Sequence, residues 1–288
     1  MNRSKFLLSV STVLVFGTLA HASVLAYDAF DYDPGRIKGE KGGTGWAKAW
    51  RGAPDSVAAA MDAPMTYTFP TGEVADGGLS ALSPDSRSER NNNFDNNVRR
   101  KLAQPFSGDV VYASFLFRND SSAVGTDTCQ MWLGGYRGPK FGMVGSSGEE
   151  GTDDFGASVG RRADDGAFTG DLTLGQTYLI VARITKTTSG AKKTYNQIEM
   201  WINPTIDDQD TPDVTASLAK GTVAKFSRIG FCNTQNRTDL MFVDEVTLGT
   251  TWADVIPPPG APPIPEPVTA ALLLVGGVGM LSRKRRGH

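Results

Sequence analysis

Residues 110–118 read Val110-Val111-Tyr112-Ala113-Ser114-Phe115-Leu116-Phe117-Arg118, and this stretch decides the fold. Val111, Ala113, Phe115 and Phe117 fall on one side of an extended chain, with Tyr112, Ser114 and Arg118 on the other. Side chains alternate with period two along a strand, so the segment predicts a half-buried strand. Thr177 to Lys186 repeats the pattern: Tyr178, Ile180 and Ile184 oppose Leu179, Val181 and Arg183, which predicts a mostly apolar central strand. From Asn196 to Asn203, Ile198, Met200 and Ile202 face one way, while Gln197, Glu199 and Trp201 face the other. Further strands are predicted at Val24 to Phe30, Met65 to Phe69, Thr128 to Leu133, Lys140 to Val144, Phe155 to Val159, Phe226 to Cys232 and Leu240 to Leu248.

Roughly ten strands between clusters of Gly, Asn, Asp and Ser, with no βαβ alternation, imply an all-β chain. Two antiparallel sheets packed as a β-sandwich or jelly roll bury two faces most economically, and a barrel is the alternative. Residues 39–52 are too rich in glycine for a strand and predict a loop whose Trp46 and Trp50 cap the core.

The two ends carry a different kind of signal. Arg3 and Lys5 precede an apolar run from Phe6 to Ala20, which ends at Ala20-His21-Ala22. A cationic start, an apolar run shorter than a spanning helix and a small-x-small site mark a secretory signal peptide. This predicts a signal helix over residues 1–22, cleavage by signal peptidase after Ala22, and Ser23 as the first mature residue. The β-sandwich domain then occupies residues 23–256 and a proline-rich linker residues 257–264. Residues 265–288 hold Pro265-Glu266-Pro267, an apolar helix from Val268 to Leu281, and Arg283-Lys284-Arg285-Arg286. That helix is shorter than a hydrocarbon core, and its basic cluster favours the cytoplasmic side.

In content and order this tail closely resembles the PEP-CTERM sorting signal. The resemblance implies processing by an exosortase, a membrane-embedded transpeptidase-like enzyme, in a Gram-negative bacterium that makes extracellular polysaccharide. It also implies transient insertion of the apolar helix into the inner membrane and delivery to the cell surface, outer envelope or extracellular matrix.

Composition narrows the chemistry. The full chain has 29 Lys and Arg against 31 Asp and Glu. Without the six cations and one acid of the terminal signals, the mature stretch carries about −7, a balance that argues against nucleic acid as a partner. Arg99-Arg100-Lys101 and Arg161-Arg162 are the dense basic spots, read as solvated strand ends. Both histidines, His21 and His288, fall in the terminal segments, so the central domain lacks the residue that Ser-His-Asp, Cys-His and most zinc chemistry require. Cys129 and Cys232 are the two cysteines. Export permits a disulfide between them, worth on the order of 4 kcal/mol for a loop of about 100 residues. Two buried thiols in separate strands is the alternative.

A second likeness runs through the domain. It is carried by Tyr27-Asp28-Ala29-Phe30-Asp31-Tyr32, by Gly45, Trp46 and Trp50, by Gly175 to Ile184 with Ile198 to Pro204, and by Val243-Asp244-Glu245 with Gly249 to Trp252. These pieces resemble the concanavalin A-like, laminin-G-type sandwiches. The resemblance implies two sheets of curved antiparallel strands, with carbohydrate or calcium sites in some members. Laminarinase-like hydrolases of that fold carry two glutamates and an aspartate closely spaced on one strand, and no such run occurs in this chain. The expectation is therefore a non-catalytic protein that binds carbohydrate, with a purely structural matrix component and a glycosidase built on Glu199 as the alternatives.

Candidate glycan-binding residues are Trp132, Tyr136, Gln197, Glu199 and Trp201, because sugar recognition uses aromatic platforms beside oriented polar groups. Packing in the core is the plainer role for the aromatics. No cofactor is required by the pattern. Calcium would need converging oxygens, for which Asp207, Asp208 and Asp210, and the pairs Asp153-Asp154 and Asp164-Asp165, are donors if they are not simply solvated turn residues.

Overall fold

The computed structural model describes residues 24–33, 35–52, 58–60, 65–68, 74–76, 81–82, 98–120, 128–135, 137–145, 153–160, 166–187, 193–234 and 241–256. The two terminal helices read from the sequence, with Ala20, Ala22, Ser23, Pro265, Glu266, Pro267 and Arg283 to Arg286, lie outside the described residues. Among the described residues no helix is long and apolar enough to cross a membrane.

The strands are, in order, β1 (Val24–Asp28), β2 (Gly35–Arg36), β3 (Ala58–Ala60), β4 (Thr66–Thr68), β5 (Val74–Asp76) and β6 (Ala81–Leu82). Then come β7 (Val98–Phe106), β8 (Val110–Asn119), β9 (Thr128–Leu133), β10 (Lys140–Gly145), β11 (Asp153–Ser158) and β12 (Gly166–Asp171). The series ends with β13 (Thr177–Thr185), β14 (Gln197–Ile202), β15 (Val214–Ser217), β16 (Phe226–Thr234) and β17 (Met241–Gly249). Two short 3-10 turns, Ile206–Asp210 and Trp252–Asp254, complete the described elements.

Two antiparallel sheets result. The nine-stranded sheet runs β15-β14-β13-β8-β17-β6-β3-β2, with β1 also paired to β17. The six-stranded sheet runs β12-β11-β10-β9-β16-β7, and β4 pairs with β5 as a separate hairpin. The decisive stretch, β8, sits centrally in the large sheet, paired to β13 from Thr177 opposite Arg118 to Thr185 opposite Val110.

Its predicted apolar face is the core face. Val111, Ala113, Phe115 and Phe117 join Ile180, Met200, Val243 and Leu248 of the same sheet against Met131, Phe141, Phe155 and Phe231 of the other. Phe115 meets Phe231 edge-on with ring centres 5.3 Å apart, and Phe117 meets Phe155 at 6.4 Å. Cross-sheet aromatic pairs of this geometry add about 0.5–1.5 kcal/mol each to the burial itself. The described residues are thus all-β, with two antiparallel sheets closed over one main core.

A second apolar cluster covers the outer face of the large sheet. Leu116, Leu179, Val181, Trp201 and Phe242 project from that face, roofed by Met65, Tyr67, Trp252, Val255 and Ile256. The near-continuous apolar character of β13 follows: Tyr178, Ile180 and Ala182 feed the main core, and Leu179 and Val181 the roof. Full burial of each large roof side chain is worth about 1.5–3 kcal/mol.

Residues 39–52 form the expected irregular segment, and Trp50 is buried while Trp46 packs against the core. Gly45, at φ 78°, lies flat against β1, where a Cβ would overlap the Leu25 carbonyl oxygen. The reading of Arg99-Arg100-Lys101 as a solvated strand end holds for the exposed Arg99 and Lys101 and needs correction at Arg100. These residues lie inside β7, and Arg100 is 2% exposed. Arg161 and Arg162 lie outside the described residues.

Candidate functional site

The sequence candidates do not converge. Gln197, Glu199 and Trp201 alternate onto the outer face of the large sheet, as the period predicts, whereas Trp132 belongs to β9 in the other sheet. Tyr136 lies outside the described residues. Trp201 is 1% exposed: it meets Trp252 edge-on at 4.9 Å and donates from Nε1 to the Asp208 carbonyl oxygen at 2.8 Å. Its place in a sugar platform is corrected to a place in the roof. Trp132, 2% exposed, belongs to the outer face of the six-stranded sheet and leans over Gly230, where any Cβ would collide with its ring. It too presents no face for stacking. Among the described residues Leu174 is the one exposed large apolar side chain.

Glu199 is engaged on both oxygens. Arg183 donates from Nε to Oε2 at 2.6 Å and from Nη2 to Oε1 at 2.9 Å. That bidentate bond holds the guanidinium above its ordinary pKa, and the same group lies 5.4 Å from the Trp201 ring centre. A groove of about 490 Å³ opens beside the roof between Tyr112, Ile206, Gln209, Thr250 and Trp252. Its polar walls are internally bonded, with Gln209 Nε2 donating to Tyr112 Oη at 3.2 Å.

The calcium donors are not gathered either. Asp208 closes a capping box, accepting from Thr205 N at 2.7 Å and Thr205 Oγ1 at 2.8 Å, and those bonds hold its carboxyl below the ordinary range. Among the described residues no three His, Cys, Asp or Glu side chains, Asp207 and Asp210 included, group to hold a metal ion. Asp153 and Asp154 begin strand β11 rather than a loop, and Asp164 and Asp165 lie outside the described residues.

The disulfide alternative fails on strand geometry. Cys129 stands opposite Asn233 and Cys232 opposite Gln130, so the two thiols project from opposite faces of one sheet. Both are free and buried. Cys232 donates to the Gln130 carbonyl oxygen at 3.6 Å. Burial pushes its thiol up to about 11 and raises that of Cys129 as well, which leaves both poor nucleophiles.

Two arrangements were not anticipated from the sequence. The first is a buried polar lock. Asp28 accepts from Phe30 N at 2.9 Å, Tyr32 Oη at 2.7 Å, Trp50 Nε1 at 2.8 Å and the Arg100 guanidinium. Asp28 and Arg100 side chains are each 1% exposed, and Arg100 lies 5.0 Å from the Trp46 ring centre. The lock ties β1 of the large sheet to β7 of the small sheet through the 39–52 segment, whose backbone is bonded to both strands. Close by, β17 bulges between Asp244 and Thr247, placing Glu245 at φ 49° with its carboxylate accepting from Tyr27 Oη at 2.6 Å. Asp244 is fully buried, and its Oδ2 has no partner among the described residues; burial first, then the Glu245 charge, pushes its carboxyl up to about 9.

The second is the outer face of the six-stranded sheet near β7. Arg99 and Lys101 point outward there, and Lys101 stands opposite Arg228 on β16. On the other edge of β7, Arg51 and Arg99 exchange backbone hydrogen bonds at 2.9 and 2.7 Å, which puts their side chains on one face. All four cations are exposed. The same row continues through Gly230 to Trp132, Lys140 and Ser158, with Gln130 in the next row. The sequence signal was present in the alternation of β7, where Val98, Arg100 and Leu102 are buried and Arg99 and Lys101 exposed.

No family model matches the chain, and no curated protein matches it. Among solved structures, the globular domain of T. cruzi calreticulin is similar with a TM-score of 0.48 at 9% identity, covering 90% of this chain and 95% of that one. The alginate lyase Aly36B, in complex with alginate tetrasaccharide, is similar with a TM-score of 0.43 at 14% identity over 80% of this chain and 97% of that one. The binding domain of botulinum neurotoxin serotype D/C gives 0.46 at 10% identity over 80% of this chain. The chain spans about half, 49%, of that neurotoxin domain. The two-sheet architecture rests on the strand order itself.

Proposed function

We propose that this chain is an exported cell-surface or extracellular-matrix protein that holds polysaccharide on the outer face of its six-stranded sheet without cleaving it. The observation that carries the reading is the contrast between the two outer faces. The large sheet is sealed under an apolar roof, whereas the small sheet, although Gln130, Trp132, Lys140 and Ser158 of its outer face are buried, presents exposed hydrogen-bonding side chains at its β7 end: Arg51, Arg99, Lys101 and Arg228. Side chains mounted on paired strands are held in fixed relative positions, which suits recognition of a repeating polymer.

The compartment follows from the two ends: a leader cut after Ala22 and a PEP-CTERM tail handled by an exosortase in a Gram-negative bacterium, with brief residence of the apolar helix in the inner membrane. A concanavalin A-like form of the sandwich is the family setting that this reading favours. Against a glycosidase stands the geometry of Glu199, both of whose oxygens are taken by Arg183, whereas glycoside cleavage uses a pair of carboxyl groups placed against the scissile bond.

The test uses full-length protein recovered from producing cells. Its N-terminus is read by mass spectrometry, and its retention on that organism's extracellular polysaccharide is measured alongside the release of new chain ends. Ser23 at the N-terminus, retention and no new ends are expected. An intact leader, absence of retention, or progressive cleavage of the polymer would overturn the reading.

A further inference from the structure

Resting on that reading, we infer that the polymer held on the six-stranded sheet is polyanionic, a glycan bearing carboxylate or sulfate groups, bound by Arg51, Arg99, Lys101 and Arg228. Two of these cations face two others across strand pairs, Arg51 against Arg99 and Lys101 against Arg228. Like charges directly opposite one another destabilise a sheet. Nothing within the described protein relieves that repulsion. The described ion pairs are Arg100 with Asp28, Arg118 with Asp120, Arg183 with Glu199 and Lys193 with Asp109, and none includes the four. One tether is present, from Arg228 Nε to the Gly134 carbonyl oxygen at 3.3 Å.

The contrast with the rest of the molecule sharpens the point. Asp and Glu outnumber Lys and Arg over the whole chain, yet this patch gathers four exposed cations. A local positive field on an acidic protein attracts anionic ligands while the surroundings repel them. Among the described residues no aromatic side chain is exposed: Trp132 and Trp201 are buried and Trp46, beside the patch, is half-buried. Charge and hydrogen bonding are what the face offers.

The spacing suits a polymer better than a single ion. Neighbouring strands stand about 4.8 Å apart, and alternate residues on one strand about 6.8 Å apart. The cations therefore form a compact two-row array, with steps comparable to the length of one sugar ring in an extended chain. The glycine at 230 keeps the row low between Arg99 and Trp132, since its neighbour's indole fills the space a side chain would take.

The experiment measures binding of full-length protein to three probes: polygalacturonate, dextran and duplex DNA. The triple substitution Arg99→Gln, Lys101→Gln, Arg228→Gln is compared with a charge-matched control, Arg118→Gln, Lys193→Gln, Lys220→Gln, placed on or beside the large sheet. Wild type and control are expected to bind polygalacturonate with an affinity that falls steeply between about 50 and 200 mM salt, and the patch variant to lose roughly tenfold or more. Should the patch variant fail to fold, Lys101→Gln alone and the salt dependence of wild type read the same property. Dextran bound as tightly as polygalacturonate, with no loss in the patch variant, would overturn the anionic assignment and leave polysaccharide binding standing. No retention of either glycan, or binding to DNA alone, would overturn both.

Discussion

Replacing Arg100 by Met tests whether the buried lock holds the sandwich together through charge. The wild-type guanidinium lies beside the Trp46 and Trp50 rings, 5.0 and 5.7 Å from their centres, reaches the Asp28 carboxylate and donates from Nε to the Lys48 carbonyl oxygen at 3.0 Å. Met fills comparable space but leaves Asp28 inside the protein with the donors from Phe30, Tyr32 and Trp50 and no counter-charge. Removing one partner of a buried pair costs about 3–5 kcal/mol. Against a total stability of about 5–15 kcal/mol, that is a large fraction.

The double variant Asp28→Asn, Arg100→Met removes the uncompensated charge while keeping an acceptor for Phe30 N. It should therefore be less damaged than the sum of the single variants, by at least about 1 kcal/mol. Urea unfolding followed by tryptophan fluorescence gives all four corners of the cycle. Added salt should change the coupling little, since a pair sealed from water is weakly screened. A loss below about 1 kcal/mol for Arg100→Met, or single effects that add within about 0.5 kcal/mol, would refute the charge argument and leave Arg100 as packing alone.

Two further perturbations bear on other parts of the molecule. The native Asp244 carboxyl titrates at about 9, against about 3.9 when unfolded. The folded state therefore holds an extra proton between those values, and stability falls as pH rises through that window. Asp244→Asn should be more stable than wild type at about pH 8, with the gain shrinking towards about pH 5; urea midpoints at the two pH values check this, and an equal gain at both defeats it. Trp201→Phe loses the bond to the Asp208 carbonyl oxygen and the edge contact with Trp252, which should cost about 1–3 kcal/mol in a thermal melt. Polysaccharide retention should stay unchanged, and a selective loss of retention would return Trp201 to the binding site.

Much of the architecture was legible from local pattern. Val110 to Arg118, Thr177 to Lys186 and Asn196 to Asn203 all form strands with the faces their alternation requires, because a period-two segment can bury an apolar side only as a strand. The strand β7 escaped notice. In VRRKLAQPF the inward position at Arg100 is polar, so the apolar alternation is broken where the lock sits. Strand β15, Val214–Ser217, has too few residues to announce itself against its polar surroundings.

The site was legible less often, and for a consistent reason. Alternation correctly placed Glu199 and Trp201 on one outward face, yet outward from a sheet is not the same as exposed to water. Residues 252–256, distant along the chain, return to cover that face, and Arg183 from the neighbouring strand takes the carboxylate. The order of residues along the chain establishes strand periods, turns and the absence of histidine from the central domain, since these depend only on neighbours in sequence. Which face is roofed, why Cys129 and Cys232 turn away from each other, and how Arg51 and Arg228 come to stand beside Arg99 and Lys101 depend on strand register between remote segments. Register is set by the sum of many side-chain packings across two sheets, and no single segment carries that sum.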